Sequence, residues 1–347
     1  MRAAITLSKE RVELQEQPEP VVTPGHAVVR VHTVTLCGTD LHIWEDDYAT
    51  ELPIIQGHEF TGVIEGLPDG ETGFTVGDRV AVVPTFSCGT CYACSIGRPN
   101  ACRHMSTYGC YEDGALVELM SVPLEKLHAV PTDLPLDVAA LWEPVGIAMQ
   151  AVNRGRPVPG EKALVLGSGP IGLFATLYLT ELGVDVIAAD TVPERSELAR
   201  AFGARDTLIV NVTAPFPNEE QAARIAEWAN GDGPSLVFEA TGAPSSLQNA
   251  VQLVATAGRV VLVGISEREV SLSMRTVPIK EIDLIGSRNN LGLISEALGL
   301  ISRHRALAQS LITHRFDFDD LPKAFETMRS RTELVGKIAI EMPGSRA

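Results

Sequence analysis

The spacing of apolar residues changes near residue 160 of the 347-residue chain. Before that point, short runs alternate polar and apolar residues, as in residues 28–34, with proline and glycine between the runs. This alternation is typical of antiparallel β-structure. After residue 160, short continuous apolar runs alternate with helical patterns, which predicts a parallel sheet covered by helices on both faces. We therefore expect an α/β protein in which a β-rich domain precedes a doubly wound parallel sheet.

Proline and glycine in residues 155–160 separate the two patterns, so we place a domain boundary near them. The predicted ranges are 1–152 for the first domain, 153–288 for the second, and 289–347 for a return to the first. The last range holds one predicted helix, residues 293–304, and then mixed short elements that do not extend the alternation of strands and helices. A chain of this length is large enough for two domains with their own cores.

A glycine-rich turn joins the first strand of the second domain, residues 162–166, to the helix that follows. The turn carries the pattern G-x-G-x-x-G, formed by Gly167, Gly169, Pro170, Ile171 and Gly172. In this pattern the first glycine makes a tight turn, the second lets the backbone approach a pyrophosphate, and the third lets helix and strand pack closely. The positive end of the helix then faces the phosphates. The sequence predicts a dinucleotide site here, although glycine-rich turns also occur without a ligand.

Asp190 ends the next apolar strand, residues 184–189, and lies 18 residues after Gly172. A carboxylate at this distance is placed to accept hydrogen bonds from a ribose 2′-OH. The same carboxylate repels a 2′-phosphate, so we expect NAD in preference to NADP. Arg195 argues against this preference for NAD, since its guanidinium could reach an adenosine phosphate.

Further cofactor contacts are predicted where the later strands end, because ligands of parallel sheets bind beyond the carboxyl ends of the strands. The residues predicted on this basis are Thr241, Gly242, Val263, Gly264 and Ser287.

Composition limits the classes of partner. The net charge is −16 and no run of Lys or Arg is visible, which argues against a nucleic-acid partner. No apolar run approaches the roughly 20 residues that cross a bilayer, and the first residues lack the features of a signal peptide. We therefore expect a cytoplasmic protein without a membrane partner, whose six cysteines are reduced. Cys110 has no assigned partner and is expected to be a buried free thiol.

Four cysteines lie close together in residues 88–102, at the spacing C-x2-C-x2-C-x7-C. They are Cys88, Cys91, Cys94 and Cys102. The segment has almost no large apolar residues, so it needs a cross-link, and Zn²⁺ bound by four thiolates would supply one. Two disulfides, a redox pair, an iron–sulfur cluster and a nucleic-acid-binding zinc module are the alternatives. The last spacing departs from the bacterial iron–sulfur pattern, and the acidic charge disfavours the nucleic-acid module.

A second candidate metal site combines one thiolate, one imidazole and one carboxylate, from Cys37, His58 and Glu59. Three protein ligands with an open position are the arrangement of a catalytic zinc. Such a zinc lowers the pKa of a bound hydroxyl and stabilises the developing alkoxide, whose carbon can then give up a hydride. Thr39 and His42, two and five residues after Cys37, are placed for a relay that carries the proton to water. Each residue alone also has an ordinary structural interpretation, and only the combination points to a metal.

Several stretches of the chain resemble the zinc-dependent medium-chain dehydrogenase/reductase family in order and spacing. They are LCGTDLH, GHEFTG, GDRV, the four-cysteine segment, WEPVGIAMQAV and VLGSGPIG. The resemblance covers essentially the whole chain and is greatest to the polyol, sugar-acid and threonine dehydrogenases. It implies a GroES-like catalytic domain, a Rossmann domain and a C-terminal return to the first domain. It also implies a homodimer or homotetramer, with NAD and with one catalytic and one structural zinc in each chain.

The resemblance further implies that Glu143 is an exchanging or water-bridged ligand of the catalytic zinc, beside Cys37, His58 and either Glu59 or water. In the alcohol dehydrogenase branch a cysteine ligand occupies the position of Glu143, so this departure favours hydrophilic substrates over simple alcohols. The stretch at residues 285–290 resembles dehydrogenases of sugar acids such as gulonate and galactonate. The resemblance implies that Arg288 faces cofactor and substrate, with the alternative that it contacts only the phosphates of the nicotinamide cofactor or a neighbouring loop.

We therefore expect an enzyme that transfers a hydride from a secondary hydroxyl of a polyol or sugar acid to NAD. L-Threonine 3-dehydrogenase, acting on a hydroxy amino acid, is an alternative in the same family, because residues 36–44 suit it too. A non-catalytic NAD- and zinc-binding protein is an alternative from another class. That alternative predicts the loss of a ligand or relay residue, and none is missing from the sequence.

Overall fold

The computed structural model describes residues 1–330 and 334–345. The strands of this part of the chain are β1 (Arg2–Ser8), β2 (Arg11–Glu16), β3 (His26–Leu36), β4 (Ile54–Ile55), β5 (Glu59–Gly66), β6 (Arg79–Val82), β7 (Thr85–Phe86), β8 (Ser106–Thr107), β9 (Leu119–Pro123), β10 (Leu127–Ala129), β11 (Lys162–Leu166), β12 (Asp185–Asp190), β13 (Asp206–Ile209), β14 (Leu236–Glu239), β15 (Arg259–Leu262), β16 (Asp283–Gly286), β17 (Ile312–Asp317) and β18 (Lys337–Glu341).

The α-helices of the same residues are α1 (Gly38–Trp44), α2 (Tyr92–Ser95), α3 (Leu136–Ala139), α4 (Trp142–Gly155), α5 (Pro170–Glu181), α6 (Pro193–Ala201), α7 (Glu219–Trp228), α8 (Pro244–Leu253), α9 (Thr276–Lys280), α10 (Ile294–Arg303), α11 (Arg305–Ser310) and α12 (Leu321–Ser330). Short 3₁₀ segments lie at Pro99–Ala101, Leu124–Lys126 and Phe318–Asp320. In the ranges that the structure describes, no helix has both the length and the apolar character needed to cross a membrane.

The described residues form two compact units. Unit 1 contains residues 1–143 and the chain from Ile294 onward, and unit 2 is Pro144–Leu293. The sequence places the first boundary after residue 152, but α4 runs unbroken through that position. Its last residue, Gly155, packs so closely on the sheet of unit 2 that an added Cβ would lie 3.0 Å from the ring of Phe238. The first boundary between the units therefore falls at the start of α4, and the second boundary falls just before α10.

Unit 1 is organised around β3, which pairs antiparallel with β5, β9 and β18. The sheet continues from β5 to β6 and β10, and from β18 to β17, which runs parallel to β18. β1 pairs with β2 and β4 in a separate sheet. Apolar residues of β3, β5 and α12, among them Val34, Phe60 and Phe325, form the core. Because β18 lies between β3 and β17, the last part of the described chain completes the sheet of the first.

Unit 2 is a parallel sheet in the strand order β13-β12-β11-β14-β15-β16. Leu164, Ile187, Val237 and Val260, from four neighbouring strands, are buried in its core. The order reverses between β11 and β14, which is the switch point beyond which such sheets bind ligands. The predicted α/β fold class, with a β-rich part and a doubly wound sheet, is confirmed. Ala140 and Leu141 separate the short helix α3 from α4.

Candidate active site

The first turn of α1 places a buried carboxylate between the segments of Cys37 and His58. The Cys37 N–H donates to Asp40 Oδ2 at 2.8 Å, and the Gly57 N–H donates to Asp40 Oδ1 at 3.2 Å. The same Oδ1 lies 3.7 Å from His58 Nδ1. Burial raises the pKa of Asp40, and the neighbouring His58 opposes that shift. One carboxylate therefore fixes the two segments relative to each other.

Cys37, His58 and Glu59, which the sequence analysis combined, do converge. One ligand atom from each lies within 4.8 Å of the others, and His58 and Glu59 are buried. Cys110 Sγ lies 3.9 Å from His58 Nδ1, on the side that also faces Asp40, which leaves Nε2 as the candidate metal-binding nitrogen. Burial lowers the pKa of His58, but Asp40 and the two thiols outweigh it and raise the pKa well above its ordinary value. The site therefore attracts positive charge, as a metal centre should.

A buried lysine binds the carboxylate of Glu59. Lys337 Nζ donates to Glu59 Oε1 at 2.6 Å, to Oε2 at 2.5 Å, and to the carbonyl of Leu36 at 3.1 Å. The Thr35 hydroxyl also donates to Oε2. Burial lowers the pKa of Lys337, but the attraction of Glu59 and Cys37 outweighs burial, and the pKa is raised. Glu59 is thus neutralised by a cation of the chain itself, which reduces the charge that it offers to a metal.

Glu143 lies in the first turn of α4 and is buried. It does not belong to the 4.8 Å group of Cys37, His58 and Glu59. Burial first, and then the charge of Glu59, raises the pKa of Glu143 to about 7. Its role as an exchanging ligand stays a prediction, for which a carboxyl that titrates near neutral pH is suitable.

The two predicted relay residues lie three residues apart on α1, so they share one face of the helix. The Thr39 hydroxyl is 3.9 Å from Cys37 Sγ, which places it at the metal group. His42 is exposed, and its Nδ1 lies 2.8 Å from Asp47 Oδ1. If Nδ1 carries the proton given to Asp47, the other ring nitrogen, Nε2, is the one left to accept a proton. The relay itself stays a prediction.

The four-cysteine segment holds its sulfur atoms at distances that fit a metal. The Sγ atoms of Cys91 and Cys94 are 3.6 Å apart, those of Cys91 and Cys102 are 3.8 Å apart, and those of Cys88 and Cys102 are 3.5 Å apart. Four sulfurs bound tetrahedrally at about 2.3 Å from one zinc ion are roughly 3.8 Å from each other. A disulfide needs about 2.05 Å, and all six cysteines are free, so the disulfide alternative does not fit.

Backbone groups around these sulfurs favour thiolates. The Cys91 N–H donates to Cys88 Sγ at 3.3 Å, and the His104 N–H donates to Cys102 Sγ at 3.3 Å. Hydrogen bonds from the N–H groups of Thr90 and Cys91 lower the pKa of Cys88 to about 5. Thiolate is the form that binds zinc. The donor set and its geometry therefore suit a closed structural zinc site.

In unit 2 the glycine-rich turn has the close contacts that its sequence predicts. A Cβ at Gly172 would lie 1.8 Å from the Gly167 carbonyl oxygen, and Gly167 has a φ of +98°. A Cβ at Gly169 would meet open space, so the backbone there is accessible to a ligand. Pro170 begins α5, and Ile171 follows it in the first turn. The N-terminus of α5 is therefore arranged as an anion-binding site.

Asp190 lies at the end of β12 beside this turn and is only 7% exposed. Its Oδ2 accepts the Ser168 N–H at 2.7 Å, and its Oδ1 accepts the Val192 N–H at 2.9 Å. The carboxylate thus ties the glycine-rich turn to the start of α6. Arg195 lies in the first turn of α6, and its part in cofactor choice stays a prediction.

A buried glutamate that the sequence analysis did not single out orders the other predicted cofactor residues. Glu239 Oε1 accepts the N–H groups of Thr241 at 2.8 Å and Gly242 at 3.1 Å. Its carbonyl oxygen accepts the N–H groups of Val263 at 2.9 Å and Gly264 at 3.0 Å. Glu239 thereby brings the carboxyl ends of β14 and β15 together.

Ser287 follows β16, and its N–H donates to the Leu262 carbonyl at 2.9 Å. Its buried hydroxyl has no hydrogen-bond partner among the residues that the structure describes. Arg288 is exposed, and its contact with cofactor or substrate stays a prediction.

Three supporting residues were thus missed. Asp40 and Glu239 leave a weak signal, since each is an acidic residue close to a predicted site residue, at a helix start or a strand end. Lys337 leaves none, because it lies 278 residues from Glu59 and lysine is rarely buried.

Two family models match the chain. The model described as the alcohol dehydrogenase GroES-like domain matches residues 23–132. The model described as zinc-binding dehydrogenase matches residues 170–303. The two matched ranges contain the candidate metal sites and the glycine-rich turn, respectively.

Relatives of the chain include dehydrogenases of polyols, sugar acids and threonine. The chain is 31% identical over 332 residues to the L-galactonate-5-dehydrogenase of Escherichia coli K12, which covers 94% of each protein. It is 31% identical over 324 residues to the sorbitol dehydrogenase of Halalkalibacterium halodurans, with 91% of this chain and 92% of that protein covered. The solved structure of the alcohol dehydrogenase rspB from Escherichia coli CFT073 in complex with NADH is similar, with a TM-score of 0.89 and 32% identity. That match covers 98% of this chain and 99% of the other.

Proposed function

Because the chain belongs to the zinc-dependent medium-chain dehydrogenase/reductase family, we propose that it oxidises a secondary hydroxyl of a polyol or sugar acid with NAD. The observation that carries the proposal is the convergence of Cys37, His58 and Glu59, with the Thr39 hydroxyl beside Cys37.

Cys37 and His58 would hold the catalytic zinc, with Glu59 or Glu143 as a further carboxylate, and the four-cysteine segment would hold a structural zinc. When bound, zinc supplies a Lewis acid for the substrate hydroxyl and NAD supplies the acceptor of the hydride. Lys337 limits the negative charge of Glu59. The carboxylate therefore opposes the loss of a proton from the substrate hydroxyl less than an unpaired one would. Asp40 holds the Cys37 and His58 segments in place.

The chain's own residues remove the proton. The Thr39 hydroxyl accepts it from the substrate side and passes a proton on toward His42 Nε2. When His42 Nδ1–H donates a hydrogen bond to Asp47, Nε2 is free to accept the transferred proton. Since His42 is exposed, it returns the proton to water.

For the cofactor, we propose NAD because Asp190 ends β12 with a carboxylate that would repel a 2′-phosphate. We also propose a homodimer or homotetramer, which light scattering after gel filtration would measure. β16 lies at the edge of its sheet with Leu284 exposed, a feature that pairing with a second copy would cover.

The test is a screen for NADH formation by the zinc-loaded protein against polyols, aldonates and L-threonine, each with NAD and with NADP. We expect activity with a polyol or sugar acid and with NAD, and loss of activity in the Cys37→Ser variant. A preference for NADP would contradict the assignment of Asp190. Activity with L-threonine alone would favour the threonine 3-dehydrogenase alternative, which the threonine dehydrogenases among the relatives support. Binding of NAD and zinc without turnover of any compound would favour the non-catalytic alternative.

A further inference from the structure

Two tyrosines from separate segments of unit 1 meet at its surface. The rings of Tyr48 and Tyr111 have centroids 6.3 Å apart and planes inclined by 34°. Tyr48 is 38% exposed and Tyr111 is 46% exposed, so both side chains are partly open to a ligand. Exposed aromatic pairs of this kind have an apolar face and a polar edge, which suits recognition better than core packing.

The pair is held next to the candidate metal centre. Cys110, the neighbour of Tyr111, has its Sγ 3.9 Å from His58 Nδ1. The Thr50 hydroxyl, two residues after Tyr48, donates to the Cys110 carbonyl at 2.7 Å and so joins the two segments. The position of Tyr111 relative to His58 is therefore fixed through the contacts of the neighbouring Cys110.

Glycine makes this approach possible. A Cβ at Gly109 would lie 2.6 Å from the Gly57 nitrogen, and a Cβ at Gly114 would lie 2.4 Å from the Gly57 oxygen. The turn that carries Tyr111 thus packs backbone to backbone against the residue that precedes His58. Larger residues at either position would push the tyrosine away from the metal group.

The chemistry of the pair suits an uncharged, hydroxylated ligand. Burial, and then a hydrogen bond with Tyr111, raises the pKa of Tyr48, so its hydroxyl stays protonated at any working pH. A phenol hydroxyl both donates and accepts hydrogen bonds, as the hydroxyls of a polyol do. The ring faces offer apolar surface to the C–H groups between those hydroxyls.

The segments around the pair carry only negative charge. Residues 45–51 contain four acidic residues, residues 111–113 contain two, and neither segment has a Lys or Arg. A carboxylate of a ligand would meet repulsion there, whereas a neutral ligand would not.

We propose that Tyr48 and Tyr111 form the subsite that binds the uncharged hydroxylated chain of the substrate, and that the acidic residues around them select neutral polyols against sugar acids. The inference rests on the proposed function, because the metal centre beside the subsite would hold the reacting hydroxyl.

The first experiment removes the rings in the zinc-loaded protein and uses galactitol as the probe. In Tyr48→Ala and Tyr111→Ala we expect a KM for galactitol about tenfold higher with kcat nearly unchanged, since the rings act in binding and not in chemistry. Saturation-transfer NMR without NAD should show transfer from aromatic protons of the protein to galactitol, and weaker transfer in both variants. Tyr92→Ala is the matched control, because Tyr92 is 79% exposed and lies in the four-cysteine segment. If truncation prevents folding, the Tyr48→Phe/Tyr111→Phe protein, which keeps both rings and loses both hydroxyls, is used instead. It should bind galactitol severalfold more weakly than the unmodified protein does.

The second experiment tests charge selection with galactitol and L-galactonate, which share a carbon skeleton and differ in one terminal carboxylate. The triple variant Asp46→Asn/Glu51→Gln/Glu112→Gln should lower the ratio of the Kd for L-galactonate to the Kd for galactitol about tenfold. Asparagine suits position 46, where φ is +55°. The control neutralises three exposed acids elsewhere, Glu19→Gln/Asp69→Asn/Glu197→Gln, and should leave the ratio unchanged. Raising the salt concentration should narrow the ratio in the unmodified protein.

Unchanged binding of galactitol by the tyrosine variants would overturn the subsite, while the proposed function would stand if any hydroxyl compound reduced NAD. Tighter binding of L-galactonate than of galactitol by the unmodified protein would overturn charge selection. Aromatic transfer to galactitol in a protein that reduces NAD with no compound would support the subsite and overturn the proposed function.

Discussion

At the scale of single residues, the ion pair of Lys337 and Glu59 combines two fully buried charges. Removing one partner of such a pair leaves the other charge uncompensated, which typically costs about 3–5 kcal/mol. We therefore expect Lys337→Met to lower the free energy of unfolding by about that amount, measured by urea denaturation. The double variant Lys337→Met/Glu59→Gln should recover much of the loss, because no charge is then left alone. Exposed Lys323→Met is the control, and a similar loss in that variant would show that the pair is not the cause.

The proposed proton path makes a second prediction at this scale. His42→Ala should lower kcat about 10²- to 10⁴-fold at neutral pH, and imidazole buffers should restore part of the activity by supplying the missing acceptor. Thr39→Val should show the same loss without rescue, because the break then lies before the imidazole. The zinc content should not change in either variant, as mass spectrometry of the native protein would show. Loss of zinc from His42→Ala would instead identify the imidazole as a ligand.

Sequence reasoning identified the candidate metal ligands, whose residue types are distinctive in combination. It missed the residues that hold those ligands in place. Cys37, His58 and Glu59 stand out because thiolate, imidazole and carboxylate together are what a metal needs. Their convergence agrees with that reasoning. The lysine that binds Glu59 could not be predicted, because the pairing depends on β18 lying beside β3, and nothing local in the sequence specifies that contact.

At the scale of elements, the four-cysteine segment depends on its metal. None of the residues of α2 is buried, so the segment has little core of its own. We expect Cys102→Ser to lower the zinc content from two ions per chain to one and to lower the unfolding temperature, whereas Tyr92→Ala should do neither. A chelator should first remove the zinc from the open site and stop turnover while the fold persists. A single zinc in the unmodified protein, or the visible absorption of an iron–sulfur cluster, would contradict the assignment of two zinc sites.

The strands β3 and β10 each contain a half-buried histidine whose charge bears on stability. Burial lowers the pKa of both His32 and His128 below the ordinary value of about 6.5. The unfolded chain therefore binds these protons at a higher pH than the folded protein does. The free energy of unfolding should be unaffected by them above about pH 6.5 and should fall as the pH decreases below it.

Urea denaturation at several pH values between about 7 and 5 measures this dependence. His128→Gln should make this dependence of the free energy of unfolding on pH shallower. An unchanged slope in His128→Gln would show that the imidazole is protonated equally well in the folded protein.

At the scale of the whole molecule, the two units differ in how the chain builds them. Unit 2 is one continuous segment with its own core, whereas unit 1 needs β18 between β3 and β17. We expect residues 144–293 to fold alone and to bind NAD, and residues 1–143 to stay unfolded without the segment that contains β18. Circular dichroism and thermal unfolding of the two fragments would test this. A cooperative transition in the 1–143 fragment would contradict it.

The division into two kinds of sheet could be predicted, because strand patterns are local properties of the sequence. The boundary could not be placed well. The prolines and glycines at residues 155–160 are a stronger local signal than the start of α4, yet α4 packs with unit 2 throughout most of its length.

The distance in sequence between Glu59 and Lys337 also sets an order of events during translation. The ribosome adds the lysine 278 residues after the glutamate, which at about 5–20 residues per second takes roughly 15 to 55 s. Throughout that interval the nascent carboxylate has no cationic partner from β18. A metal ion that reaches the growing chain therefore encounters Glu59 without its lysine, while one that arrives after β18 has paired with β3 encounters it already neutralised.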